Sequence, residues 1–335
     1  MRIALLRIKK HVHSIHLLRC FEQGAVACGD SCSWATFPKE IEAAVGDCDL
    51  AVRVAPPPPV NSPEGRTETE TAAAAFERAG KPIFTIDTGF IRNKMEYEVA
   101  SASGRCATPK FNSRDPSTFS AVDDLMYYSI GCGDPKGRAN YCNRGVPSDR
   151  WAALKIDEKP WRETGRHILL LGSSRGRGRH SIDIGSWYAA VIASIRQRTK
   201  REIVFRFNPR AGKRRGARES ILQHVGKPAK FSFSRNPRLE DDLQDAWAAV
   251  TWSSNAAAAA IIFGIPVFAG DKLCIAWDVA NHDLAAIREP TMPDRTNWLR
   301  ELAYAQWNCR EISSGVAWKR LRSSILDGSW RVACV

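Results

Sequence analysis

The chain has 335 residues, roughly twice a typical single-domain length, and its 44% hydrophobic and 25% charged content excludes a mostly disordered polymer and favours two domains. No run is long and apolar enough to span a bilayer, since the longest, Ala256 to Gly270, holds Gly264 and Pro266, and the run 3–6 is cut short by Arg7, Lys9 and Lys10. A soluble, cytoplasmic protein with no membrane partner is expected. The formal net charge is +13, and 15 basic residues against 3 acidic ones fall between Arg162 and Arg218, which favours a polyanion partner because clustered cations displace condensed counterions from phosphates.

In chain order, Arg2 to Ile8 reads as a strand. Pro38 to Val45 has helical spacing, with proline in its first turn and Gly46 after its end. Asp49 to Val54 is a strand stopped by Pro56 to Pro59, Thr71 to Ala79 a helix closed by Gly80, and Lys81 to Asp87 another strand. Alternation of this kind predicts a parallel α/β domain. From Arg92 to Arg150 the pattern gives way to Gly, Ser, Asn and Asp, as in long functional loops with short helices. Residues 151–165 read as a connection.

The alternation then restarts. Strands are predicted at 167–171, 202–207, 248–252 and 265–268, with helices at 182–198, 218–225, 239–246, 255–263, 294–306 and 309–321. The boundaries drawn are a first domain over 1–160, a second over 161–320 and a tail over 321–335. Ten cysteines occur without a single C-x-x-C pair, so reduced core thiols are expected. A zinc set drawn from Cys28, Cys32 and the His11, His13, His16 cluster is the alternative; no metal ligand is assigned.

The sharpest local pattern is Thr251-Trp252-Ser253-Ser254-Asn255 followed by five alanines, Ile261-Ile262-Phe263 and Gly264-Ile265-Pro266-Val267. A buried strand ends in a polar triplet that caps a helix whose first turns bear only methyl groups. Such a helix start leaves backbone N–H groups and the positive end of the dipole open to an anion. An ordinary well-capped strand–helix–strand unit has the same pattern. The loop Gly172-Ser173-Ser174-Arg175-Gly176-Arg177-Gly178 matches no P-loop or dinucleotide fingerprint, but its glycines permit close backbone approach and its arginines suit phosphates.

The strand–helix–strand around Ser253 resembles the donor site of GT-B glycosyltransferases, where a Ser/Thr/Asn cluster at a helix start holds the diphosphate of a nucleotide sugar. More narrowly, Phe205-Arg206-Phe207-Asn208-Pro209, Gly264 to Phe268, Pro293 to Leu299 and Leu302 to Trp307 resemble phage-encoded glycosyltransferases that decorate modified DNA bases. The likeness covers about 166–320, with Asp87 to Ile91 and Asp149-Arg150-Trp151 before it. Such proteins often carry His-Pro where this chain has Asn208-Pro209.

The resemblance implies an α/β fold of the GT-B type, two Rossmann-like domains facing each other across a cleft. It implies an enzyme transferring a sugar from a nucleotide-diphosphate sugar, a UDP-sugar foremost, to a hydroxymethyl pyrimidine of phage DNA. A divalent metal is left open and is not indicated. Donor-binding residues would be Gly172, Ser173, Ser174, Arg175, Arg206, Ser253, Ser254, Asn255 and Gly264. DNA phosphates would meet Arg177, Arg179, Arg196, Arg198, Lys200, Arg201, Lys213, Arg214 and Arg215. Asp87, at the end of a parallel strand and beside Gly89, is the candidate base for an inverting transfer, with Asp30 the alternative. Of the eleven tryptophans, Trp187, Trp247, Trp298 and Trp307 read as helix core, while Trp34, Trp151 and Trp161 lie near loops. Competing functions are transfer to a glycan or lipid-linked acceptor, a GT-B-shaped epimerase, a non-enzymatic DNA-binding protein and an anion-binding subunit.

Overall fold

The computed structural model describes residues 1–7, 12–36, 38–54, 72–91, 127–132, 145–173, 183–208, 217–226 and 228–328. The chain divides into two compact units, one of residues 1–147 with 301–335 and one of residues 148–300.

The first unit is built on a six-stranded sheet. Its strands are β1 (Arg2–Leu6), β2 (Ser31–Ala35), β3 (Leu50–Val54), β4 (Ile83–Thr88), β5 (Tyr127–Cys132) and β11 (Gln306–Asn308), in the order β11-β5-β4-β3-β1-β2. The first four are parallel; β5 runs antiparallel to β4, and β11 antiparallel to β5. Helices α1 (Val12–Ala27) and α2 (Pro38–Asp47) and a helical stretch over 72–78 connect the parallel strands. Alternation along β1 explains why both faces are covered. Ile3 and Leu5 join a core with α1 and the C-terminal helices, while Ala4 and Leu6 join a second core with Ala44 and Phe76.

The second unit contains β6 (His167–Leu171), β7 (Glu202–Arg206), β8 (Phe231–Phe233), β9 (Ala246–Thr251) and β10 (Val267–Ala269), all parallel, in the order β10-β9-β6-β7-β8. Its helices are α3 (Asp149–Leu154), α4 (Ile184–Arg198), α5 (Ala217–Val225), α6 (Leu239–Leu243) and α7 (Ala256–Ile262). Every residue of β9 is buried, as expected of a central strand covered on both faces. Both strand orders belong to doubly wound sheets, so the expected class, two α/β domains with parallel sheets, is what the structure shows.

After Arg300 the chain returns to the first unit. Helix α8 (Thr296–Tyr304) leads into β11, then α9 (Cys309–Ser313) and α10 (Val316–Leu326). Trp307, Trp318 and Leu321 are buried in the core around β1, β3 and β4, so residues read as the end of the second domain, and Leu321 at the start of the tail, form part of the first unit's interior. The predicted helix 309–321 is broken at Gly315, whose φ of 84° starts α10 in a left-handed conformation. A Cβ there would lie 2.8 Å from the Gly24 carbonyl oxygen.

Other elements differ from expectation. Trp247 and Trp307 lie on strands β9 and β11 rather than on helices. Helix α1 and strands β2, β5, β8 and β11 carry too weak a local pattern to be read from the sequence. Gly24 weakens the helical pattern of α1, but it is required by packing, because a Cβ there would come within 2.1 Å of the Ile312 carbonyl oxygen.

Candidate functional site

In the second unit the chain leaves β6 toward β7 on one side and leaves β9 toward β10 on the other. The carboxyl ends of β6 and β9 therefore form a topological switch point, where open α/β sheets bind ligands. Gly172 and Ser173 follow β6, and Trp252 to Asn255 follow β9, so five of the sequence-derived donor residues come to one edge.

Side chains rising from the core tie this edge together. The Thr251 hydroxyl donates to the Leu171 carbonyl at 3.1 Å and accepts from the Ser254 backbone N–H at 3.1 Å. The buried Tyr188 hydroxyl donates to the same carbonyl at 3.1 Å and accepts from the Ser173 N–H at 2.6 Å. Burial pushes the Tyr188 phenol well above its usual range, so it stays a neutral donor and acceptor. Thr251 opens the polar pattern of the sequence, which assigns it no role, and Tyr188, a core tyrosine, carries no distinctive signal.

The cap of α7 differs from expectation. Asn255 has helical φ and ψ and makes no side-chain cap bond; the Ser254 hydroxyl accepts from Ala256 N–H at 3.3 Å instead. Asn255 is exposed, and Ser253 and Ser254 are half-buried. The start of α4 is already filled, since the Asp183 carboxylate accepts from Gly185 N–H at 3.1 Å and Ser186 N–H at 3.4 Å. Trp252 meets Trp187 edge-on at 5.5 Å, and Gly270 leaves both indoles their space, because a Cβ there would lie 2.7 Å from one and 2.8 Å from the other.

Three proposed donor residues are occupied by the fold itself. The Arg206 guanidinium donates to the Asp242 carboxylate, to Ser234 Oγ and to the carbonyls of Asn236 and Pro237. It therefore holds the segment after β8 rather than presenting free donors. Gly264 has φ of 74°, and a Cβ on it would come within 1.9 Å of the Pro160 carbonyl oxygen, so its open face is taken by the 159–160 backbone at the far end of α7. Gly172 is likewise fixed by packing, its N–H bonding the Arg206 carbonyl at 2.7 Å and its missing Cβ making way for that same oxygen. Ser174, Arg175, Arg177, Arg179, Lys213, Arg214 and Arg215 lie outside the described residues.

The remaining basic candidates cluster where α4 ends and β7 begins, at the edge of the sheet opposite the switch point. Arg196 donates to the Arg201 and Lys230 carbonyls at 2.6 and 2.7 Å, and burial lowers its pKa. Arg198 turns back onto Ser194. Arg201 bonds the Gly165 carbonyl and stacks over Trp247 at 4.3 Å. Of the four, Lys200 alone is exposed.

In the first unit Asp87 is half-buried at the carboxyl end of β4, and its carboxylate accepts from Thr88 N–H at 2.7 Å. It stands one strand away from the β1/β3 switch point of that sheet. Gly89 does not make room for a ligand: a Cβ there would lie 2.6 Å from the Tyr127 carbonyl oxygen and 2.9 Å from Gln306 Oε1. That same Gln306 oxygen accepts from both Phe90 and Ile91 N–H at 2.9 Å, so β11 fixes the chain just beyond Asp87.

Asp30 is not a suitable base. Its buried carboxylate accepts from Trp318 Nε1 and Arg322 and pairs with the Met1 amine. Burial opposes ionisation, yet these donors outweigh it and hold the pKa at about 2. The proposed zinc set is not brought together among the described residues: Cys28 Sγ donates to the Gly315 carbonyl, and Cys28 and Cys32 share no ligand group with His16. Burial, with the carboxylates of Glu22 and Asp30, pushes the Cys32 thiol up to about 12. His11 lies outside the described residues, and His16 is buried within α1. Near the loops, Trp34 donates to Glu22, and Trp161 donates to the Pro293 carbonyl with Arg295 stacked over it at 4.4 Å.

No known family model matches the chain, and no curated protein does. Among solved structures it is similar to the beta Kdo 2,7 transferase KpsC of Thermosulfurimonas dismutans, at 12% identity and a TM-score of 0.48, over 96% of this chain and 100% of that one. It is similar to the UDP-GlcNAc 2-epimerase of Methanocaldococcus jannaschii, in complex with UDP-GlcNAc and UDP, at 9% identity and a TM-score of 0.32, over 96% and 100%. A third is Acinetobacter baumannii MurG, at 8% identity and a TM-score of 0.32, over 96% and 99%. All three scores are below 0.5, so the reading of this chain rests on its own geometry.

Proposed function

We propose that this chain is a glycosyltransferase that takes a nucleotide-diphosphate sugar, a UDP-sugar foremost, at the switch point of its second unit. The observation that supports this reading is the junction of Gly172–Ser173 with Ser253–Asn255 at the carboxyl ends of the adjacent strands β6 and β9. The half-buried Ser253 and Ser254 hydroxyls and the exposed Asn255 amide there suit a diphosphate, while the N–H groups of Gly172, Ser173, Ser254 and Ala256 to Ala258 are held within the fold.

In the proposed reaction the acceptor hydroxyl oxygen bonds to the anomeric carbon as the bond from that carbon to the diphosphate oxygen breaks. The nucleoside diphosphate departs, and for an inverting transfer Asp87 takes the hydroxyl proton. The acceptor proposed is a hydroxymethyl pyrimidine of phage DNA, which the sequence resemblance implies; the net charge of +13 and its concentration between Arg162 and Arg218 support a polyanion. A glycan or lipid-linked acceptor is the competing one.

Calorimetry with UDP and a panel of nucleotide sugars tests the donor site. A Ser253→Ala, Ser254→Ala, Asn255→Ala variant that keeps its fold should bind donor about tenfold more weakly; unchanged affinity would move the site elsewhere. Nucleoside mass spectrometry of hydroxymethylated DNA incubated with enzyme and donor tests the acceptor. Donor turnover without sugar on the DNA would assign a different acceptor.

A further inference from the structure

We propose that His16, Cys20 and Cys309 form a binding site for a soft divalent cation of the zinc class, fastening the N-terminal helix to the returning C-terminal segment within the first unit. This inference is independent of the glycosyl-transfer reading. His16 and Cys20 stand four residues apart on α1 and so share one helix face. Cys309 comes from the start of α9, 289 residues later than Cys20. The three ligand atoms lie within 4.8 Å of one another, and all three residues are buried.

The geometry is close to what a metal needs. Cys20 Sγ and His16 Nε2 are 3.7 Å apart. A tetrahedral zinc with ordinary Zn–S and Zn–N bonds places such a pair about 3.6 Å apart. The two edges to Cys309 Sγ are at most 4.8 Å, so each has to close by no more than about 1.2 Å to reach the same figure. Thiolate and imidazole donors select soft or borderline cations over magnesium and calcium. Charge selects among them: a dication with two thiolates and a neutral imidazole is electrically neutral, which lowers the cost of burying it. Binding releases the two thiol protons to solvent, so affinity rises with pH. Three protein ligands leave one tetrahedral position for a water molecule.

The backbone is arranged for this approach. Gly24, one turn beyond Cys20, lets α1 close onto Ile312 of α9, and the reciprocal Asn308–Glu311 capping box fixes the helix start that carries Cys309. Cys28 and Cys32 are distinct from the cluster. Cys28 Sγ faces the Gly315 carbonyl, and the Cys32 thiol is held protonated as described above.

The test is cobalt(II) titration of the reduced full-length chain, followed by zinc displacement. Expected are the intense ligand-field bands of a tetrahedral site and a thiolate-to-cobalt charge-transfer band with the intensity of two thiolates. Cys20→Ser and Cys309→Ser should each halve that intensity, and zinc should raise the melting temperature of the parent chain. A Cys28→Ser, Cys32→Ser variant should keep the full band; this control does not touch the cluster and decides the matter even where the other variants fail to fold. A parent chain with no charge-transfer band, or with only weak octahedral absorption, would overturn the proposal. Loss of the band in the Cys28, Cys32 variant would overturn it equally.

Discussion

Asp30 shows how one residue changes meaning once its neighbours are known. In sequence it is an acidic residue beside a glycine and a candidate base; in the fold it accepts from Trp318, Arg322 and the Met1 amine. Its folded pKa of about 2 lies below the unfolded value of 3.8. The stability it supplies is therefore fully present above about pH 4 and is lost as the pH falls through about 2. With the carboxylate fully buried, that contribution is about 2 kcal/mol. Asp30→Asn should lower the unfolding free energy by about that amount at neutral pH and flatten its fall between about pH 4 and pH 2, as read by urea titration at several pH values. Gln306 is a second such residue. Its side-chain oxygen satisfies two backbone N–H groups, so Gln306→Leu should destabilise by about 2 kcal/mol or more, with faster hydrogen exchange at Phe90 and Ile91. Unchanged exchange at those two amides would show that the segment after Asp87 is fixed by something else.

At the scale of elements, glycines and arginines assigned to ligands turn out to hold the second unit together. Gly264 ends α7 with φ of 74° against the Pro160 carbonyl, whereas Gly226 ends α5 with φ of 67° and would give a Cβ nothing to meet within 4 Å. Gly264→Ala should therefore cost about 3 kcal/mol or more, and Gly226→Ala about 1 kcal/mol, since only the first adds a backbone clash to the conformational strain. Equal losses in melting temperature would contradict the close approach. At the end of α4, Arg196 ties the starts of β7 and β8 through the Arg201 and Lys230 carbonyls, while Lys200 is exposed. Arg196→Gln should destabilise by about 1 kcal/mol, and Lys200→Gln should leave stability within about 0.5 kcal/mol. If the charge at this edge meets a polyanion, it is Lys200→Gln that reduces the salt dependence of DNA binding.

For the whole molecule, the decisive feature is the return of the chain after Arg300. Strand β11 completes the six-stranded sheet, and Trp307 and Trp318 are 1% exposed in the first unit's core. A chain ending at residue 300 would lose those side chains and leave β5 as an unpaired edge. Such a truncation should yield insoluble protein, or soluble protein in which amides of β1, β3 and β4 exchange rapidly. Retained protection there would mean that the first unit folds without its C-terminal segment.

The alternation of strands and helices is legible in the residues alone, because burial on both sides of a parallel strand writes a short apolar run that is visible locally, as at 83–86, 168–171 and 248–250. The polar segment after β9 is equally visible, since a helix start must satisfy its own N–H groups. Which strands are neighbours, and where the chain returns, are settled by folding in three dimensions. Strand β5 is set by its pairing with β4, β11 by its pairing with β5, and the three-residue β11 has no local pattern to reveal it. The same holds for the side chains. Whether Arg206, Arg196 or Asp30 faces a ligand or the fold depends on partners up to 292 residues away in sequence, and no local spacing encodes a contact of that range.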